Sequence, residues 1–177
     1  PDCVTDISVL AFSDSTSLTA LVVGDGNPVY ASENGFLLSK DKKILFRSVL
    51  GGYSSALPEG ITEIGDFAFF GGFCPASVVI PDTVTKIGAY AFAAGLYPAF
   101  TLPSGLCEIG DCAFQGLVPA EILFQGEKAG WEQIRFGESV FAFGTKVIGA
   151  SGETVYVLNF LGDVNGDGGV DVRDSVL

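Results

Sequence analysis

Leu57-Pro-Glu-Gly-Ile-Thr-Glu-Ile-Gly-Asp-Phe-Ala-Phe69 is echoed by Ile80-Pro-Asp-Thr-Val-Thr-Lys-Ile-Gly-Ala-Tyr-Ala-Phe92 and again by Leu102-Pro-Ser-Gly-Leu-Cys-Glu-Ile-Gly-Asp-Cys-Ala-Phe114. The Ala-Phe pairs end at 69, 92 and 114, which gives periods of 23 and 22 residues. Units this short cannot bury an apolar face alone, so they stack, and the chain is predicted to be a solenoid. Pro1-Asp-Cys-Val-Thr-Asp-Ile-Ser-Val-Leu-Ala-Phe12 aligns with Pro58 to Phe69 and reads as a fourth copy. On that reading Phe12, Phe69, Phe92 and Phe114 form one buried column.

Each unit has a physical reading. The stretch before the proline alternates, with Leu21 and Val23, Ser55 and Leu57, Val78 and Ile80, Phe100 and Leu102, and Ile122 and Phe124 on one side. Residues two apart share a face of a strand, so these point inward. Proline ends the strand, and an apolar pair such as Ile61 and Ile64 carries the chain back. Gly65, Gly88 and Gly110 are expected to permit a turn, and the Ala-Phe pair plugs the interior. The predicted fold is mainly β: parallel strands stacked one per rung, with short turns or helical pieces on the other side.

Between Phe12 and Phe69 lie too many residues for one unit. Asn34-Gly35 to Ser39 and Ile44 to Ser48 flank the polar turn Lys40-Asp-Lys-Lys43, the pattern of an inserted β-hairpin (about 27–50) lying beside the stack. After Phe114 the repeat fades. Residues of about 127–150 read as the cap that any solenoid needs to close its last open face. Residues 151–161 read as a linker strand, and 162–177 as a separate segment. The chain opens inside a repeat, so its natural N-terminus is expected to lie further upstream, and no signal peptide is seen.

The totals narrow the function classes. A chain of 177 residues with 48% hydrophobic residues and 17% charged can bury one continuous core. The net charge of −12 repels phosphate backbones, so nucleic acid is not an expected partner. No apolar run approaches the roughly 18 residues of a membrane span. With no histidine, the commonest general base and zinc ligand is missing, and no nucleophile–base pair stands out, so the chain is not read as an enzyme. Cys3, Cys74, Cys107 and Cys112 lack metal spacing; they read as small apolar fillers, or as a disulfide between neighbouring rungs.

Three constellations are candidates for more than packing. Asp6, Glu63, Lys86 and Glu108 share one repeat position, and on rungs about 5 Å apart they should form a solvated charge ladder rather than a catalytic carboxylate pair. Val22, Ala56, Val79, Thr101 and Leu123 should face outward from the strands as a shallow, weakly apolar strip, the surface on which a solenoid binds its ligand. β-Propensity alone, or cover by the hairpin, is the other reading of that row. Tyr30, Tyr53 and Tyr97 read as core or rim packing ahead of sugar stacking.

This vocabulary resembles the BspA-like leucine-rich repeats of bacterial surface proteins. That family's unit is Ile-Pro-x-x-Val-x-x-Ile-Gly-x-x-Ala-Phe, and Ile80 to Phe92 match it throughout. The Asn27-Pro28 and Asn34-Gly35 insert and the Trp131-x-x-Ile134 ending also look like the family, and the resemblance covers residues 1–150. It implies a secreted or cell-surface protein that binds a host matrix protein.

Gly162 to Asp174 carries the one explicit ligand pattern. Asp163, Asn165, Asp167, the Gly169 carbonyl, Asp171 and Asp174 fall at calcium-loop spacing, with Gly168 at the sharp turn. An aspartate closes the loop in place of glutamate, and a strand-like stretch precedes it. The segment thereby resembles the first half of a type I dockerin, in which loop positions 10 and 11 (Val172 and Arg173) help choose the cohesin. That resemblance implies calcium as cofactor, a cohesin partner once a second half is present, and a polysaccharide ligand for the whole. With one loop, calcium affinity is expected to be weak. The sequence therefore points to a non-catalytic binding or adhesion module recognising protein or glycan, tethered through calcium to a surface or cellulosome-like assembly. The alternative is a passive spacer.

Overall fold

The computed structural model describes residues 1–8, 10–12, 15, 18, 20–48, 56–74, 76–117, 121–142 and 145–157. In chain order the elements are β1 (Tyr30–Glu33), β2 (Phe36–Ser39), β3 (Ile44–Ser48), β4 (Glu63–Ile64), β5 (Val78–Val79), β6 (Lys86–Ile87) and β7 (Ala99–Leu102). They continue with β8 (Glu108–Ile109), β9 (Glu121–Phe124), α1 (Lys128–Trp131), β10 (Arg135–Phe136), β11 (Lys146–Ile148) and β12 (Thr154–Val157). One sheet runs β1-β2-β3-β4-β6-β8-β10 and the other β12-β11-β9-β7-β5. From β3 to β10 in the first, and from β5 to β11 in the second, every pairing is parallel. Each turn of chain therefore adds one strand to each sheet: the fold is a mainly β leucine-rich-repeat solenoid with almost no helix.

The register repeats the period of the sequence. Glu63 pairs with Lys86 and Lys86 with Glu108, the same offsets that separate the Ala-Phe pairs. The strands before Pro81 and Pro103, with β9 after them, form the expected ladder, and Val78, Ile80, Phe100, Leu102, Ile122 and Phe124 point inward. The return segment does more than cross back, because its Glu/Lys-Ile pairs form strands of their own.

The glycines act differently from the expectation that they permit a turn. Gly65, Gly88, Gly110 and Gly137 do not lie at positive φ; the left-handed position is two residues later, at Phe67, Tyr90, Cys112 and Ser139 (φ between 50° and 56°). What forces glycine is the neighbouring rung. A Cβ at Gly88 would sit 2.6 Å from the Asp66 nitrogen and 2.7 Å from the Gly65 carbonyl carbon, and one at Gly110 2.6 Å from the Ala89 nitrogen. This close approach lets the Gly88 and Gly110 amides donate to the Ile64 and Ile87 carbonyls, at 2.7 and 2.8 Å.

The aromatic column exists, with a changed membership. Phe69, Phe92, Phe114 and Phe141 stack at 4.9, 5.4 and 5.4 Å with rings within 12° of parallel. Phe100, from the other sheet, meets Phe92 and Phe114 edge-on at 5.0 Å. Phe12 is not in the column. It is half-buried, its carbonyl accepts a bond from Arg47 (3.1 Å), and Phe36 meets Phe69 instead, edge-on at 6.2 Å. The reason is topological. The insert does not lie beside the stack: β1, β2 and β3 form an antiparallel meander whose last strand pairs in parallel with β4, so it fills the place of the rung before.

At the other end, residues 127–150 hold a last rung. Trp131 of α1 packs on Phe124, Phe136 and Phe141, with ring centres 5.3, 5.2 and 5.9 Å apart. The antiparallel β12 then covers the exposed side of β11. No helix among the described residues is long and apolar enough to cross a membrane.

Candidate ligand-binding face

Strands β5, β7, β9 and β11 turn one side to the core and the other to solvent. On β9 the pattern is strict, with Ile122 and Phe124 buried and Glu121 and Leu123 exposed. Parallel register puts like on like, so Ala56, Val79, Thr101, Leu123 and Ile148 line up across successive rungs. Val79 is 51% exposed and Leu123 43%. Beside this apolar row runs a second outward row of Ala99, Glu121 and Lys146. The result is a flat surface, apolar along its centre and polar along one margin, suited to area contact with a protein or a flat glycan.

The structure brings four of the five predicted face residues together. Val22 stands apart: it is 85% exposed in a segment outside any strand, and among the described residues no bridge joins it to Ala56. Ile148 was missed. Its strand lacks both the proline and the repeat vocabulary, and the only signal was the alternation of Val147 and Ile148 after a long interval.

On the other sheet the charge ladder forms and is longer than the sequence suggested. Lys86 Nζ lies 3.0 Å from Glu63 and 3.9 Å from Glu108, and Arg135 reaches Glu108 at 2.6 Å. The hydrogen bond to Glu63, followed by the fields of Glu63 and Glu108, raises the Lys86 pKa, so its ammonium is favoured. Asp6 is off the ladder, exposed and outside any strand. Arg135 could have been found: Gly137 precedes Phe141 by the same four residues that separate Gly110 from Phe114.

All four cysteines are free thiols. Cys74 and Cys112 are the buried fillers expected, whereas Cys3 and Cys107 are exposed, and no rung-to-rung disulfide forms. Tyr30 and Tyr97 are buried, and Tyr97 donates to the Phe69 carbonyl at 2.8 Å; burial pushes its phenol pKa up. Tyr53 lies outside the described residues. So does the whole calcium-loop candidate, Asp163, Asn165, Asp167, Gly169, Asp171 and Asp174. Among the described residues no cluster of three or more metal-type side chains occurs.

Residues 42–125 match the model of the BspA type leucine rich repeat region in six copies. Among solved structures, the pneumococcal vaccine antigen PcpA is similar, with a TM-score of 0.63 and 24% identity over 73% of this chain and 33% of its own. A leucine-rich repeat protein from Eubacterium ventriosum is similar at a TM-score of 0.37 and 18% identity, over 76% of this chain and 45% of its own. This chain thus spans a third to under half of the length of either. Among curated proteins none matches significantly. In vocabulary and in fold, residues 42–125 are similar to BspA-type leucine-rich repeats, set in a leucine-rich-repeat solenoid.

Proposed function

We propose that this chain is a secreted or surface-exposed, non-catalytic binding module that recognises a protein or glycan across the outer face of β5, β7, β9 and β11. The observation that carries this reading is the apolar row itself. Val79 and Leu123 stand half-exposed on β5 and β9, either side of Thr101 on β7, in a stack whose stability comes from its interior. Apolar side chains in register on solvent contribute little to the fold, and a ligand gives them a use. The tail would add a tether. Asp163, Asn165, Asp167, Asp171 and Asp174 with the Gly169 carbonyl offer the hard oxygens calcium takes, and a dockerin-like pair of such loops would hold a cohesin.

The narrowness of the row, one residue wide beside Glu121 and Lys146, favours the second reading, a spacer that binds nothing. Arrays of matrix proteins and of plant glycans probed with the 177-residue chain separate the two. Saturable binding to a defined member supports the module, and a blank on both arrays supports the spacer.

A further inference from the structure

The meander of β1, β2 and β3 has a second buried face. Ala31, Leu38 and Leu45 turn to the solenoid core, so Tyr30 and Leu37, next to them on their strands, turn the other way. Arg47 pairs with Leu37 across a bulge and shares its side. Tyr30, Leu37 and Arg47 are nevertheless only 7%, 2% and 3% exposed. Ile7 and Phe12 of the N-terminal segment stand across from them, and the fit is incomplete. A cavity of about 320 Å³ remains, walled by Ile7, Phe12, Tyr30, Leu37 and Phe46, with Arg47 among them.

Arg47 is the anomaly of this cavity. Two of the five N–H donors of its guanidinium are used, on the Phe67 carbonyl at 2.5 Å and the Phe12 carbonyl at 3.1 Å. Carbonyls satisfy donors but bring no negative charge, and among the described residues no carboxylate lies within ion-pair distance of Arg47. A buried charge without a counter-charge is costly, and burial accordingly pulls the Arg47 pKa down. The acids that also line the cavity are placed elsewhere. Glu63 is held by Lys86 at 3.0 Å, Asp66 accepts the Ala89 amide at 2.8 Å and lies in the field of Lys86, and Asp6 is exposed at the rim.

We propose that this cavity binds a small carboxylate with an apolar body. The carboxylate meets the free donors of Arg47, whose planar fork suits two oxygens, and supplies the missing counter-charge where water is largely excluded. The body fills the space beside Tyr30, Leu37 and Phe46. The volume lies at the small end of the range for ligand pockets, which favours a compact acid over a long chain. This site is independent of the apolar face of β5, β7, β9 and β11.

The test is calorimetry of the intact chain with hydrocinnamate, with its neutral amide and with phenylpropylamine, which share one apolar body and differ in charge. Hydrocinnamate should saturate a single site, and the amide and the amine should bind at least about tenfold more weakly, the loss expected when a buried charge-assisted pair is not made. Arg47→Gln should weaken hydrocinnamate by a similar factor. Should that variant fail to fold, the native chain still decides: its melting temperature should rise with hydrocinnamate and not with the amide. No binding of hydrocinnamate by the native chain overturns the proposal. So does equal binding or equal thermal stabilisation by the amide or the amine, or undiminished binding by a folded Arg47→Gln.

Discussion

The two sheets of this solenoid stack the same rungs by different means. In β5, β7, β9 and β11 the rungs are joined by strands of two to four residues with side chains alternating inward and outward, so the outer row is free to vary. In β4, β6, β8 and β10 each strand is two residues long and ends on a glycine pressed against the backbone of the rung before. One sheet is held by side-chain packing and leaves a face for a ligand. The other is held by main-chain proximity and has little freedom at the glycine. A position in the repeat therefore tolerates change according to which sheet it serves.

The largest expected effect is at the column both sheets share. Phe92→Ala removes a fully buried ring that touches Phe69, Phe100 and Phe114, and should cost about 3–5 kcal/mol in denaturant unfolding. Next comes the glycine contrast. Gly88→Ala forces a methyl into the Asp66 and Gly65 backbone and should cost about 1–3 kcal/mol or more, whereas Gly60→Ala, with open space at φ +80°, should cost about 1 kcal/mol from conformation alone. Equal losses at the two would sink the close-approach account. In the opposite direction, Ser139→Gly at φ 50° should stabilise by roughly 0.5–1 kcal/mol, since the exposed side chain is held in a left-handed conformation.

The ladder should matter least. Lys86 is part-exposed, so Lys86→Met should change stability by less than about 1 kcal/mol. The sign follows from the raised pKa: the ladder's contribution is complete below the ordinary lysine value and fades as pH rises through the higher folded one. A native-minus-variant difference that persists well above that range would show that packing of the Lys86 stem, not its charge, was measured.

Much of this was legible because the repeat is written in residue types with one physical meaning each. Apolar alternation before Pro81 and Pro103 gave the inward row, and the Ala-Phe pairs gave the column from Phe69 to Phe114. Local resemblance misled at Phe12, because a segment can match a rung in sequence while the β1–β3 meander takes its place in the stack. The glycines were found but misread, since a close approach between rungs 22 or 23 residues apart has no trace in local sequence. The last rung was hidden for another reason. Phe136, Gly137 and Phe141 keep the spacing but not the vocabulary, and only the column shows that spacing is what counts.

The most direct test of the account is to place charge on the apolar face and leave the core alone. Val79→Lys together with Leu123→Lys alters two outward side chains that the interior does not use. Measured against whichever array member the native chain captures, the double variant should lose binding while its melting temperature stays nearly unchanged. Undiminished binding by a folded double variant would contradict the assignment of this face as the recognition surface.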